Sequence, residues 1–233
     1  KIMSKFEFTN NLISFNKYNS FNKIPRIIND LENGKSVALV SDAGMPSICD
    51  PGENLIKEVI SNGLNLICIP GPCAAITALV SSGLPSSKFT FEGFLPKKKK
   101  DRENQLLEIS KNNKTSILFE SPHRLKKLLS ELKDFCGGER EIKVFRELTK
   151  TFEEHIGKNI NEVLDFFDGK EVLGEITIVI KGVNKTKNNN VFDKFELKKE
   201  LDELINAGLS LSAASRYLAK KNKLTKNLIY NLH

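Results

Sequence analysis

Residues 37–52 read VALVSDAGMPSICDPG, and the fold turns on how this stretch is read. Val37, Ala38, Leu39 and Val40 make a short, β-branched apolar run, the pattern of a buried strand. Two acid-and-glycine turns follow, Ser41-Asp42-Ala43-Gly44 and Asp50-Pro51-Gly52. They would lie at the C-terminal end of the strand, the edge where open parallel α/β sheets bind ligands. Ligand binding is one reason to place two acids between a buried strand and a helix. The other is local: Asp42 and Asp50 can serve as turn and helix caps through their own side chains.

Working outward, Ile24, Ile27, Ile28 and Leu31 recur at helical spacing, and Asn33-Gly34 supplies a stop. Residues 1–22 are polar and Phe-rich, with at most a short strand near 12–15. A helix is expected from Gly52, with Leu55, Ile56, Val59 and Ile60 as its stripe and Gly63 as its end. Residues 64–69 read as a second buried strand, with Cys68 as a small core residue. That run meets Pro70-Gly71-Pro72 and then a small-residue helix at 73–79. Strand–turn–helix twice over is the rhythm of a doubly wound sheet. Small residues after a strand let the main chain approach a ligand closely, or let a helix pack tightly on a sheet.

Beyond a connector at 81–87, KFTFEGF (88–94) alternates as a half-buried strand does, and a domain boundary is placed just before it. Lys97–Lys100 reads as a loop, either a solvated face or a tracker of phosphates. A helix at 101–109 and a strand at 115–119 lead to ESPHR (120–124). There Pro122 suits the first turn of a helix faced by Leu125, Leu128, Leu129 and Leu132. A strand at 141–145 ends in RELTK (146–150). A helix at 161–167 and a strand at 176–180 follow. KTKNNN (185–190) is linker material. Leu197, Leu201, Leu204 and Ile205 then form a stripe ended at Gly208. Ser212 is expected to cap a second helix with Tyr217 and Leu218 on its buried side, and Thr225 a third. With Arg216, Lys220, Lys221, Lys223 and Lys226 these helices suggest a helix-turn-helix-like module, or a hairpin that packs on the body.

The 233 residues carry a formal net charge of +7, which favours anionic partners: nucleic acid first, then anionic small molecules and membrane surfaces. No apolar run is long enough to span a bilayer and no signal-peptide pattern is found, so a cytoplasmic protein that engages no membrane is expected. Cys49, Cys68, Cys73 and Cys136 fit neither a zinc motif nor a redox C-x-x-C. His123, His155 and His233 are scattered, so no metal site is expected. The dinucleotide, P-loop, nucleophile-elbow and zinc-protease motifs are all missing from the sequence. What remains are polar clusters after expected strands: Asp42/Asp50, Glu92-Gly93, Glu120/Arg124 and Glu147/Lys150. Ends of strands in one sheet can converge on a cleft, although each pair alone also reads as a surface ion pair.

Five segments occur in order: SDAGMPSICDPG, IPGPCAAITALVSSGLPSSKFTFEGFLPKKK, ILFESPHRL, RELTKTFEEHIGK and GEITIVIKG. Together they resemble the ribosomal RNA small subunit methyltransferase I family of the tetrapyrrole methylase superfamily. The resemblance covers most of the chain. It implies two α/β domains with S-adenosylmethionine (SAM) in the cleft between them, here 1–85 and 86–184, and a linker with a small helical module at 185–233. It implies methyl transfer to the ribose 2′-hydroxyl of a cytidine in small-subunit (16S) rRNA, and a homodimer.

Residue by residue, Ser41, Asp42, Ala43, Gly44 and Met45 match the cofactor-side loop, where many members have Thr in place of Met45. Pro70, Gly71, Ala74, Ala75 and Ile76 match a second cofactor turn. Glu92, Gly93 and Phe94 match the loop entering the second domain, on the cofactor side. Glu120, Ser121, Arg124, Glu147, Thr149, Lys150 and Glu175 match polar strand ends on the substrate side, with Glu175 also counted as touching the cofactor. Asp50 stays structural. Family members begin with a further strand and a Pro/Gly-rich loop before the segment like KIMSKF, so the chain is expected to start inside the family pattern, with its first sheet and its cleft short of one member. The expected chemistry is an in-line methyl displacement without metal, with Glu147 or Glu120 accepting a proton and Lys150 or Arg124 stabilising the developing oxyanion. Two alternatives are a non-catalytic RNA-binding remnant and a methyltransferase for a tetrapyrrole or protein substrate.

Overall fold

The computed structural model describes residues 2–183, 194–222 and 224–232. The expected linker at 185–190, Lys223 and His233 lie outside the described residues. The chain divides into two compact units, Lys1–Ala74 and Ala75–His233.

The first unit holds α1 (Ile2–Lys5), α2 (Ser20–Glu32) and α3 (Glu53–Ser61). The helical spacings expected at 24–31 and 55–60 put Ile27 of α2 against Leu55 and Val59 of α3, with Phe15, Ile24, Ile28, Leu31 and Leu64 around them. Gly52 precedes α3, where a Cβ would meet Ser47 Oγ at 1.9 Å and Leu39 Cδ2 at 2.9 Å.

Three expectations in this unit are corrected. The runs 36–40 and 64–69 are not strands, and neither is 12–15. A strand exists only where a neighbour takes up its main-chain groups, and these runs join no ladder among the described residues. Their side chains follow suit: Val40 is 69%, Ile67 76% and Ile69 79% exposed. Cys68 is exposed too, so it is no core residue. An apolar, β-branched run specifies what a segment could bury, not what it pairs with.

α4 (Ala74–Ser82) buries Ala75, Ala78, Leu79 and Ser82. The second unit continues with β1 (Phe89–Phe94), α5 (Lys99–Lys111), β2 (Thr115–Glu120), α6 (Pro122–Cys136), β3 (Ile142–Arg146), β4 (Glu154–Ile156), α7 (Ile160–Phe167) and β5 (Ile176–Ile180). Lys97–Lys100 is therefore not wholly a loop, because Lys99 and Lys100 open α5. The sheet order is β1-β2-β5-β3-β4. β1 and β2 are parallel and the other neighbours antiparallel. The sheet is thus mixed, and the expected doubly wound rhythm reaches only β1–α5–β2.

Leu106 and Ile109 of α5, the four leucines of α6 and Ile160, Val163 and Phe167 of α7 close over Leu118, Ile142, Val144, Ile156, Ile176, Ile178 and Ile180. That layer covers one face of the sheet. Asn159 caps α7, accepting the Glu162 N–H at 2.9 Å.

The register matters most for function. Phe94 lies opposite Phe119, Glu120 opposite Ile176, Ile176 opposite Arg146, and Arg146 opposite Glu154. All five strands therefore bring one end to the same edge of the sheet.

The C-terminal helices are α8 (Lys194–Asn206), α9 (Leu211–Asn222) and α10 (Lys226–Tyr230). Leu197, Leu201, Ala214, Leu218, Ala219 and Ile229 form their common core. Ser210, not Ser212, caps α9, accepting the Ala213 N–H at 3.3 Å. Tyr217 is exposed, one position off the buried stripe of Ala214, Leu218 and Ala219. Among the described residues no helix is long and apolar enough to cross a membrane.

Candidate active site

Two polar clusters occupy the edge where the strands end. The first is built on Glu120, the last residue of β2, whose carboxylate is buried. Its Oε1 accepts the Ser121 N–H at 2.8 Å, and its Oε2 accepts Arg124 Nη2 at 2.9 Å. Arg124 sits in the first turn of α6 and also donates to the Leu95 carbonyl at 3.2 Å. From α5, Arg102 lies 3.7 Å from the same Oε2 and pairs with Glu131 at 2.7 Å. A carboxylate held by two guanidiniums and a main-chain N–H is fixed in place, as a buried charge must be. The expected pair Glu120/Arg124 is therefore brought together.

The second cluster joins β3 to β5. Glu147 follows β3 with φ +53°, and Thr149 has φ +64°. Positive φ is uncommon for any residue with a Cβ and is an outlier for a β-branched one, so this turn is strained. The Glu147 N–H donates to the Glu175 carbonyl at 2.9 Å, and Glu147 Oε1 accepts the Glu175 N–H at 2.8 Å. The same oxygen accepts Lys150 Nζ at 3.0 Å, and Lys150 also pairs with Glu175 Oε2 at 3.1 Å. Gly174 makes this possible, since a Cβ there would stand 2.6 Å from Glu147 Cγ.

The Glu175 main-chain hydrogen bond and then the Lys150 ammonium hold the Glu147 carboxyl below its ordinary value. Hydrogen bonds to Glu147 and then Glu175 push the Lys150 ammonium up. Lys150 is therefore a cation and a donor at neutral pH. Glu147 is an anion whose Oε2 has no protein partner among the described residues. Beside it, Glu153 accepts the Thr149 N–H and contacts His155, each at 2.6 Å. Arg146 pairs with Glu154 at 2.6 Å.

The two clusters do not merge. β5 lies between β2 and β3, so two inter-strand steps, roughly 10 Å, separate Glu120 from Glu147. Glu92 stands at a bulge between Phe91 and Gly93 and accepts Gln105 Nε2 at 3.1 Å, while Phe94 rests edge-on against Phe119. Within the first unit, the loop 41–45 lies beside the turn 70–73. Ser41 Oγ donates to the Gly44 carbonyl at 2.8 Å. A Cβ on Gly44 would stand 3.5 Å from the Pro72 carbonyl oxygen, and one on Gly71 would stand 4.0 Å from Met45 Sδ. Ala74 and Ile76 are exposed on the first turn of α4 and Ala75 is buried.

Residues 14–164 match the family model of the tetrapyrrole (corrin/porphyrin) methylases. The chain belongs to the tetrapyrrole methylase family. It is similar to ribosomal RNA small subunit methyltransferase I of Vibrio cholerae, at 38% identity over 232 residues, 99% of this chain and 80% of that protein. The protein of that name from Synechocystis is 37% identical over 100% of this chain and 83% of its own length. Among solved structures, the methyltransferase CobJ superposes with a TM-score of 0.54 over 75% of this chain and 74% of its own, at 16% identity, a likeness of fold. As a tetrapyrrole methylase the chain is a methyltransferase.

The residues of this methylase suit SAM, an adenosine joined to a charged amino acid. The loops 41–45 and 70–73 present exposed main chain at two glycines, with an exposed carboxyl side chain at Asp42 and a half-buried apolar one at Met45. Among the described residues no group of three or more His, Cys, Asp or Glu could hold a metal ion. Sequence reasoning missed Arg102, Glu131, Arg146, Glu153, Glu154 and Gly174. Arg102 carried a signal: it falls on the stripe of Leu106 and Ile109, a helix face that buries whatever occupies it. Gly174 carried none, because the side chain it makes room for is 27 residues away.

Proposed function

We propose that this methylase transfers a methyl group from SAM to the ribose 2′-hydroxyl of a cytidine in small-subunit (16S) rRNA. The substrate assignment rests on relatives of that name that align with nearly the whole chain. The chemistry rests on one observation: a lysine cation clamped between Glu147 and Glu175 at the edge where five strands end.

When bound, SAM supplies an electrophilic methyl on a sulfonium. Ser41, Asp42, Ala43, Gly44, Met45, Pro70, Gly71 and Ala74, which lie together in the first unit, would hold it. Glu147 Oε2 accepts the hydroxyl proton. A carboxylate held low is always ionised at neutral pH, but it is a weak base. The Lys150 ammonium compensates by stabilising negative charge on the ribose oxygen, which lowers the acidity barrier Glu147 must meet. Glu120 and Arg124 hold the neighbouring strand end and orient substrate rather than move the proton, because both Glu120 oxygens are already engaged.

We assign 1–85 to the SAM side, 86–184 to the substrate side and the basic helical module to rRNA. The protein works as a cytoplasmic homodimer. The test is transfer of labelled methyl from SAM to small subunits lacking the modification. The wild type labels them, and Lys150→Ala loses on the order of 100- to 1,000-fold in kcat, the effect of removing one charge-stabilising donor. Label that goes to a corrinoid precursor and not to the subunit would overturn the substrate.

A further inference from the structure

Phe152 is 71% exposed, two residues beyond Lys150. A lone exposed apolar side chain needs no explanation. This one stands in an unusual place. The Glu153 N–H donates to the Lys150 carbonyl at 3.2 Å, so residues 150–153 form a tight turn with Phe152 at its third position. Such positions favour Gly, Asn, Asp and Ser, which supply unusual φ or a local hydrogen bond; Phe supplies neither. The turn is also held rigidly. The Lys150 N–H donates to the Glu147 carbonyl at 3.0 Å, and the Thr149 N–H donates to Glu153 Oε2 at 2.6 Å. The turn just before it, residues 147–150, carries positive φ at Glu147 and Thr149. A hydrogen-bonded turn that follows directly on a strained one therefore leaves an aromatic side chain exposed two residues beyond Lys150.

We propose that Phe152 is the stacking platform for a base next to the methylated ribose. A ring face accepts any base by stacking, and recognition of single-stranded RNA relies on such platforms beside basic groups. The rigid turn supplies the order that stacking would otherwise have to impose. Lys150 and Phe152 are carried by one hydrogen-bonded turn, so a base seated on Phe152 would bring its own or the adjoining ribose toward the Glu147–Lys150 pair. Phe152 is thus a positioning residue. This inference rests on the RNA substrate proposed above.

The test is the kcat/KM for methyl transfer to unmodified small subunits, measured for the wild type, Phe152→Ala, Phe152→Leu and Phe152→Trp, with SAM affinity by calorimetry and thermal midpoints alongside. Phe152→Ala is expected to lose roughly 5- to 150-fold, the range for deleting one base–aromatic stack. Phe152→Leu is expected to lose nearly as much and Phe152→Trp to retain wild-type activity, all with unchanged SAM affinity and midpoint. Wild-type activity in Phe152→Ala or in Phe152→Leu overturns the stacking role while leaving the rRNA reading intact. A wild type that methylates no small-subunit RNA overturns that reading and this inference with it.

Discussion

Lys150 Nζ stands 3.0 Å from Glu147 Oε1, and the contact is locked from behind by the main chain of Glu175. Neither residue could hold the other so firmly across an open turn. The lock depends on Gly174, which has φ +89° and leaves room for the Glu147 side chain.

Gly174→Ala should therefore act on the proposed chemistry without touching the loops 41–45 and 70–73 proposed to hold SAM. Its Cβ would collide with Glu147 Cγ, and its backbone would be strained as well. Displacing a reacting group by about 1 Å can cost on the order of 100-fold. The expected result is a kcat lowered roughly 10- to 100-fold with unchanged SAM affinity in calorimetry. Undiminished kcat would separate Glu147 from the reaction.

Stability should fall in acid for an identifiable reason. Asp30, Glu147, Glu153 and Glu154 all lie below their ordinary values, held by Lys35, by the Glu175 main chain, by His155 and by Arg146 respectively. A carboxyl lowered in the folded state stabilises it fully above its unfolded value, and the contribution fades as pH falls through the folded value. Urea midpoints should thus be level above pH 4.5, the ordinary value for glutamate, and drop below it. Glu147→Gln should lower the neutral plateau and make the acid drop shallower. Lys150 and Lys221 are raised above 10.5, so their contributions persist to that pH and vanish above it.

Glu120 should prove to be a keystone of stability. Glu120→Ala leaves Arg102 buried, and Arg124 partly so, without their shared partner. Removing one member of a buried ion cluster costs about 3–5 kcal/mol. Urea unfolding of Glu120→Ala should show a loss in that range; a loss below about 1 kcal/mol would mean the arginines are satisfied elsewhere.

Gly52 offers a test of the proposal that the loop 41–45 holds SAM. A Cβ there meets Ser47 Oγ, which is itself buried without a hydrogen-bond partner. Gly52→Ala should push the 41–50 loop aside and weaken SAM binding about tenfold, the effect of about 1.4 kcal/mol of overpacking. Adding Ser47→Gly removes the larger clash, and it suits the φ of +67° at position 47. The double variant should therefore recover most of the affinity, measured by calorimetry.

The second unit was largely legible in the sequence because its signals are local. Alternation in KFTFEGF, the apolar run at 115–119 and the leucine stripe of α6 each name an element whose partners lie within the same unit. Glu120, Arg124, Glu147 and Lys150 were legible as polar residues at strand ends, and the register explains why both clusters lie at one edge of the sheet. The first unit was less legible. Val37–Val40 carries the composition of a strand, yet composition says nothing of pairing, and the run joins no ladder among the described residues. β4 was missed because three residues, Glu154–Ile156, are too few to show a period. Arg102 and Gly174 escaped notice because their meaning lies in contacts distant in sequence.

The most direct test is to incubate the protein with labelled SAM and small ribosomal subunits lacking the modification, and then to map the label. The account predicts label on one cytidine of the 16S rRNA, at the ribose, with the adjoining phosphodiester made resistant to alkali, and its near disappearance with Lys150→Ala. Label on a base, on a ribosomal protein or on a tetrapyrrole, or undiminished ribose labelling by Lys150→Ala, would contradict it.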